Sequence, residues 1–251
     1  MNEDGADGFD AHATPGRRSG SAARVGPVKP RPAASLVLID GSGPEPKVLL
    51  GRRHPNLAFL PSKYVFPGGR LETDDRRMAG SGALPDRCIE RLALRRSRDF
   101  PGPRAFALAA IRETFEETGL LLGTRPDAPP KATIPPAWQT FTDHGFAPHL
   151  APLRFIGRAV TPPSFPRRFD TSFFAADVAA VAHRIDGCVT RDTELVELVW
   201  LSLNDAAKLD IPRITAMILL DLATRIAANF DGRLPVPLFY ERNRRWIREE
   251  L

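Results

Sequence analysis

Among 251 residues there are two cysteines, Cys88 and Cys188, and no CxxC pair. That scarcity excludes a disulfide framework and a cysteine-ligated zinc site, and it suits a reducing cytoplasm. Long apolar runs are missing as well. The longest kind, such as Ile214 to Leu220, is cut short by Asp221, so no membrane span is expected. The acidic start, MNEDGADGFD, lacks the apolar core of a secretory leader. No internal repeat is present, and His54, His144, His149 and His183, four of the five histidines, have no ligand-like spacing.

Proline, by contrast, is abundant: 25 residues exclude a helical bundle and predict short elements separated by irregular connections. Apolar residues at 43% and charged residues at 26% give a globular balance, and the length allows one α/β domain with insertions. Thirty of the 35 basic residues are arginine and the net charge is +5, which favours anionic partners such as phosphates and nucleotides. The basic residues are scattered and not interleaved with aromatics, so nucleic acid is not the expected partner.

Residues 1–32 hold almost no large apolar side chains and read as a disordered tail. Residues 33–251 read as a single domain. Strands are expected at Ala34–Ile39, Lys47–Leu50 and Tyr64–Phe66, then at Leu153–Val160, Arg168–Val178 and Glu194–Leu201. An inserted, arginine-rich stretch at about 76–103 contains one short helix, Asp86–Asp99. A stronger helix runs from about Arg104 to Thr118, with Gly119 at the left-handed cap position. The proline-rich stretch 124–152 reads as a long connection, in which Trp138 and Phe141 either pack the loop, the favoured reading, or stack a base. Ser202 caps a short helix, and a final amphipathic helix covers about Pro212 to Phe230.

The chemistry lies in Arg112-Glu-Thr-Phe-Glu-Glu-Thr-Gly-Leu120. On a helix, Glu113, Glu116 and Glu117 fall within an arc of roughly 100°, while Ala107, Ile111, Phe115 and Thr118 take the opposite side. Three like charges so close repel one another, unless divalent cations sit between them. All-oxygen ligation selects Mg²⁺ or Mn²⁺. Upstream, the glycines of Phe66-Pro-Gly-Gly-Arg70 let the backbone approach a ligand closely after a buried strand.

Gly-Gly followed by Arg-Glu-x-x-Glu-Glu-x-Gly-aliphatic resembles the signature box of the Nudix hydrolases. The resemblance implies an α/β (α+β) fold, a mixed β-sheet sandwiched between helices with loop insertions. It also implies Mg²⁺- or Mn²⁺-dependent cleavage of a diphosphate bond in a small nucleotide-like substrate. By position, Glu113, Glu116 and Glu117 would be metal ligands, with Glu113 and Glu117 catalytic. Arg112 would hold a glutamate in place, and Gly68 or Gly69 would offer a backbone carbonyl to the metal. The usual box places Arg-Glu seven residues after its first acidic residue. Here Asp75 takes that acidic position as a further candidate ligand, and 36 residues separate it from Arg112, an interruption of 29.

Such an interrupted box resembles the branch that includes the peroxisomal coenzyme A diphosphatase, which points to coenzyme A or an acyl-CoA as substrate. The terminal Glu249-Glu-Leu251 is not a peroxisomal address, and cytoplasmic residence is expected. A distant carboxylate often completes such sites, and Glu194 or Glu197 is the candidate. Their odd spacing on a strand lets only one of them face the centre. Arg52, Arg53 and Arg168 are candidates for substrate phosphates. The inserted arginines, Arg87, Arg91 and Arg96 among them, could form a lid over an anionic substrate or lie in a helix folded against the sheet. A catalytically inactive nucleotide-sensing module on the same fold is the competing functional reading.

Overall fold

The computed structural model describes residues 28–128 and 132–251. Residues 1–27 of the expected tail lie outside the described residues. Arg31 and Pro32, expected in that tail, instead open strand β1 (Arg31–Asp40). Neither side chain is apolar enough to signal this; the strand is set by parallel pairing of Arg31–Ile39 with Phe169–Asp177. The chain continues through β2 (Lys47–Arg53), β3 (Tyr64–Val65), β4 (Gly68–Arg70), α1 (Thr73–Arg77), α2 (Asp86–Ala93) and α3 (Pro103–Thr118). Next come β5 (Leu120–Thr124), α4 (Gln139–Asp143), β6 (Ala147–Pro148), β7 (Arg154–Val160), β8 (Phe169–Asp177) and β9 (Val181–Arg184). The last elements are β10 (Leu195–Ser202), α5 (Leu203–Ala206), α6 (Arg213–Ala227) and the hairpin β11 (Pro237–Arg242) and β12 (Arg245–Glu250).

The main sheet is mixed, ordered β10-β2-β1-β8-β7-β11-β12, with β3 on β2 and β4 on β1. Alternation along β1 builds a core on each face. Ala34, Leu36 and Leu38 pack with Phe106, Ile111 and Phe115 of α3, whereas Val37 and Ile39 pack with Ile218, Leu219 and Leu222 of α6. The sheet therefore lies between helices, the expected architecture. A smaller sheet, β6-β5-β9, extends the α3 side. Gly119 turns the chain from α3 into β5 at φ 74°; a Cβ there would lie 2.3 Å from the Ile185 carbonyl oxygen.

Two stretches are more ordered than their composition suggests. Within 124–152, a 3₁₀ turn at Pro136–Trp138, α4 and β6 pack fully buried Trp138 and Phe141 into the core. The hairpin β11–β12 extends the main sheet by parallel pairing of β11 with β7. The inserted helix is shorter than expected, ending at Ala93, because Leu94 turns extended and Arg95 then takes a left-handed φ of 54°. Beyond it Arg96, with 4% of its side chain exposed, pairs with Asp170 and donates to Ser172 on β8. Burial pulls the Arg96 guanidinium down to about 10, against the opposing pull of Asp170.

Candidate active site

Helix α3 is buried on nearly every side, because β1, β4, β5, α1 and α2 all pack against it. Its carboxylates are therefore not one open face. Glu116 has 43% of its side chain exposed and Glu113 14%, while Glu117 as a whole is 9% exposed. Strand β4 pairs with β1 at Ala33–Ser35 and runs directly over the helix. The carboxyl group of Glu113 lies against Gly69 so closely that a Cβ there would be 2.5 Å from it. Glu117 sits beneath Gly68 and accepts its backbone N–H at 2.9 Å. The paired glycines thus serve the approach of two carboxylates.

Arg112 joins the parts. It bonds both Asp75 oxygens (2.9 and 3.1 Å), Glu116 (2.9 Å) and the Arg70 carbonyl (2.9 Å), and its ion pair with Glu113 spans 3.0 Å. Burial works against the Arg112 charge, but Asp75, Glu113 and Glu116 together keep its pKa above the ordinary arginine value. Burial lifts Glu113 to about 7, with Arg112 opposing and Glu116 adding to the rise. Burial also lifts Glu117 well above the usual carboxylate range, reinforced by the charges of Glu113 and Glu194.

These groups border a cleft of about 750 Å³ between β1, β4, β8 and the loops at Phe59–Leu60 and Pro166–Arg168. Glu72, Glu113, Glu116, Glu194, Gly68, Gly69, Arg53 and Arg168 line it; Glu117 lies just behind the wall. Of the two distant carboxylates, Glu194 reaches the cleft and pairs with Arg53 at 2.8 Å. Glu197 does not line it. A bulge between Leu195 and Glu197 resets the alternation, and Glu197 pairs with Arg52 (2.8 Å) and Tyr64 (3.0 Å). Those two bonds hold the Glu197 carboxyl below its ordinary pKa and occupy Arg52, so neither residue reaches the cleft. Arg168 lines the cleft while donating to the Thr161 and Val28 carbonyls.

Asp75 also differs from its expected role as a ligand. It is wholly buried, with both oxygens taken up by neighbouring N–H donors, and serves as the anchor of Arg112. Its shorter side chain keeps it at the guanidinium. No residue of the insertion at 76–103 lines the cleft, so the lid is not formed. Its arginines staple it to the rest of the chain instead: Arg87 donates to the Gly232 carbonyl (3.3 Å) and Arg91 to those of Arg233 and Leu234.

Among the described residues, no three His, Cys, Asp or Glu side chains form a ready ligand cluster. Glu116 is drawn onto Arg112. The donor set nevertheless fits a hard divalent cation: all ligand atoms on offer are oxygens, and the buried pair Glu113 and Glu117 is short of compensating positive charge.

Among solved structures, the chain is similar to a Nudix hydrolase from Alicyclobacillus acidocaldarius, 32% identical, covering 76% of this chain and 90% of that one with a TM-score of 0.55. The chain belongs to the Nudix hydrolase family. Among curated proteins it is similar to the acyl-coenzyme A diphosphatase NUDT19 of Homo sapiens, 32% identical over 153 residues, 46% of this chain and 40% of that protein. The same protein of Gallus gallus is 34% identical over 130 residues, 38% of this chain and 34% of the relative. The chain thus spans well under half the length of these curated relatives. No protein-family model matches it.

Proposed function

We propose that this chain is a metal-dependent hydrolase that cleaves the phosphoanhydride bond of a nucleoside diphosphate linked to a second group, with coenzyme A or an acyl-CoA as its substrate class. The observation that carries this reading is the convergence of Glu113, Glu116 and Glu194 on one cleft, with Glu117 behind Gly68. The similarity to acyl-coenzyme A diphosphatases supports the substrate class. The reacting unit is one domain reaching from β1 to the C-terminal hairpin, and the two free cysteines suit cytoplasmic work.

Mg²⁺ or Mn²⁺, held through Glu113, Glu116, Glu117, Glu194 and a carbonyl of Gly68 or Gly69, would neutralise the diphosphate and acidify an attacking water. The chain's own groups do the rest. Glu113, packed against Gly69 and ion-paired with Arg112 at 3.0 Å, would orient that water or take up its proton. Arg112 keeps Glu113 and Glu116 in place, and Arg53 and Arg168 offer guanidinium N–H donors to phosphate oxygens along the cleft wall.

The test is incubation with coenzyme A, an acyl-CoA, ADP-ribose, NADH and dinucleoside polyphosphates, with Mg²⁺ or Mn²⁺, and identification of both products by mass. Cleavage within the diphosphate is expected, with coenzyme A or its thioester turned over fastest. Folded protein that turns over none of them overturns the reading, and calorimetric binding without turnover assigns the sensing role instead.

A further inference from the structure

The 3₁₀ turn at Pro136–Trp138 docks onto α1 through two N–H groups. The Ala137 backbone donates to Asp74 (3.1 Å), and the Trp138 indole Nε1–H donates to Asp75 Oδ1 (3.2 Å). Asp75 Oδ1 also accepts from Arg112 Nε (2.9 Å), while Oδ2 accepts from Arg112 Nη2 (3.1 Å) and the Glu72 backbone N–H (2.8 Å). Four donors thus fill the four lone-pair directions of a carboxylate with no solvent exposure. Trp138 is also fully buried, edge-on to Phe141 at 5.3 Å, and Phe141 in turn meets Phe115 of α3 at 5.2 Å.

We infer that Trp138 is a positioning residue for the carboxylate centre: its indole N–H fixes Asp75, which orients Arg112 and through it Glu113 and Glu116. The inference rests on the reading of those glutamates as the reacting centre. Packing alone does not account for the arrangement, because burial of the ring does not require its N–H to meet a carboxylate oxygen, as it does here at 3.2 Å. The N–H closes the last acceptor direction of Asp75, and an acceptor left open in a water-free site favours rotation of the carboxylate toward another donor. Any such rotation moves Arg112, which holds Glu113 at 3.0 Å and Glu116 at 2.9 Å. A residue of the proline-rich connection therefore completes the box that the insertion interrupts.

The test compares Trp138→Phe, which keeps a ring and deletes the donor, with Phe141→Leu, which disturbs the same packing and leaves the donor. Calorimetry with Mn²⁺ alone and steady-state kinetics on the best substrate are read for both. Trp138→Phe is expected to weaken Mn²⁺ binding and to lower kcat by about tenfold, the usual range for groups that orient ligands, with KM little changed. Phe141→Leu is expected to lower Tm and leave Mn²⁺ affinity and kcat near wild type. A second measurement does not depend on activity or on a stable Trp138 variant. The sequence has three tryptophans, and Trp200 and Trp246 are only half-buried, so the Trp138 indole N–H should be the slowest of three to exchange with solvent. Asp75→Asn should shift that resonance and leave the other two in place. A Trp138 resonance indifferent to Asp75→Asn, or a Trp138→Phe protein with wild-type Mn²⁺ affinity and kcat, overturns the inference. An inactive wild type overturns the hydrolase reading alone, since the resonance and Mn²⁺ arms still decide the role of Trp138.

Discussion

Arg112 and Asp75 stand 37 residues apart in sequence and hold each other by two parallel hydrogen bonds of 2.9 and 3.1 Å, with 3% and 0% of their side chains exposed. The bridge closes a box that the insertion opens. Its two ends are brought together by α1 and α3, which pack side by side.

Removing one partner of this buried pair strands the other. Asp75→Ala should destabilise the protein by about 3–5 kcal/mol, read as a lower urea midpoint at unchanged slope. The double variant Asp75→Leu with Arg112→Met should recover part of that loss, because no buried charge is then left alone. A single variant as stable as wild type would show that the bridge is not what holds α1 to α3.

Glu117→Gln keeps the shape and removes a carboxylate whose charge burial already opposes. Turnover should fall by about 100-fold or more, while thermal stability is held or rises. Turnover close to wild type would remove Glu117 from the reacting centre.

The raised carboxylates also set a pH dependence for the metal-free protein. Glu113 titrates near 7 in the folded state and nearer its ordinary 4.5 when unfolded, chiefly because burial disfavours its charge. Between those values the folded state binds more protons than the unfolded chain, so stability should fall as pH rises across that window. Glu117 acts in the same direction. Tm in chelator should therefore decline from about pH 5 to 7.5, and Glu113→Gln should flatten the decline; a flat wild-type profile would contradict the burial of these groups.

Since the insertion does not line the cleft, its arginines should matter for stability and not for substrate. Arg87→Gln with Arg91→Gln breaks their bonds to the carbonyls of Gly232, Arg233 and Leu234. A lower Tm with unchanged KM is expected. A KM raised severalfold would return these arginines to the substrate.

The sequence by itself determined the local facts. Helical spacing grouped Glu113, Glu116 and Glu117, the β-branched and apolar run after residue 33 marked β1, and Gly119 marked the end of α3. These follow from backbone periodicity and steric limits that act within a few residues. Partnership across the chain was decided only by the tertiary structure. Which of Glu194 and Glu197 reaches the cleft was decided by their partners across the sheet: Arg52 and Tyr64 take Glu197, while Glu194 pairs with Arg53 on the cleft wall. Asp75 became an anchor because Arg112 and Trp138 arrive from 37 and 63 residues away to fill its oxygens. The C-terminal hairpin mixes a short apolar start, 237–240, with the charged residues of β12, and β11 gains its place through pairing with β7. Backbone pairing and buried charge compensation are set by what the fold brings opposite, so a one-dimensional pattern carries little trace of them.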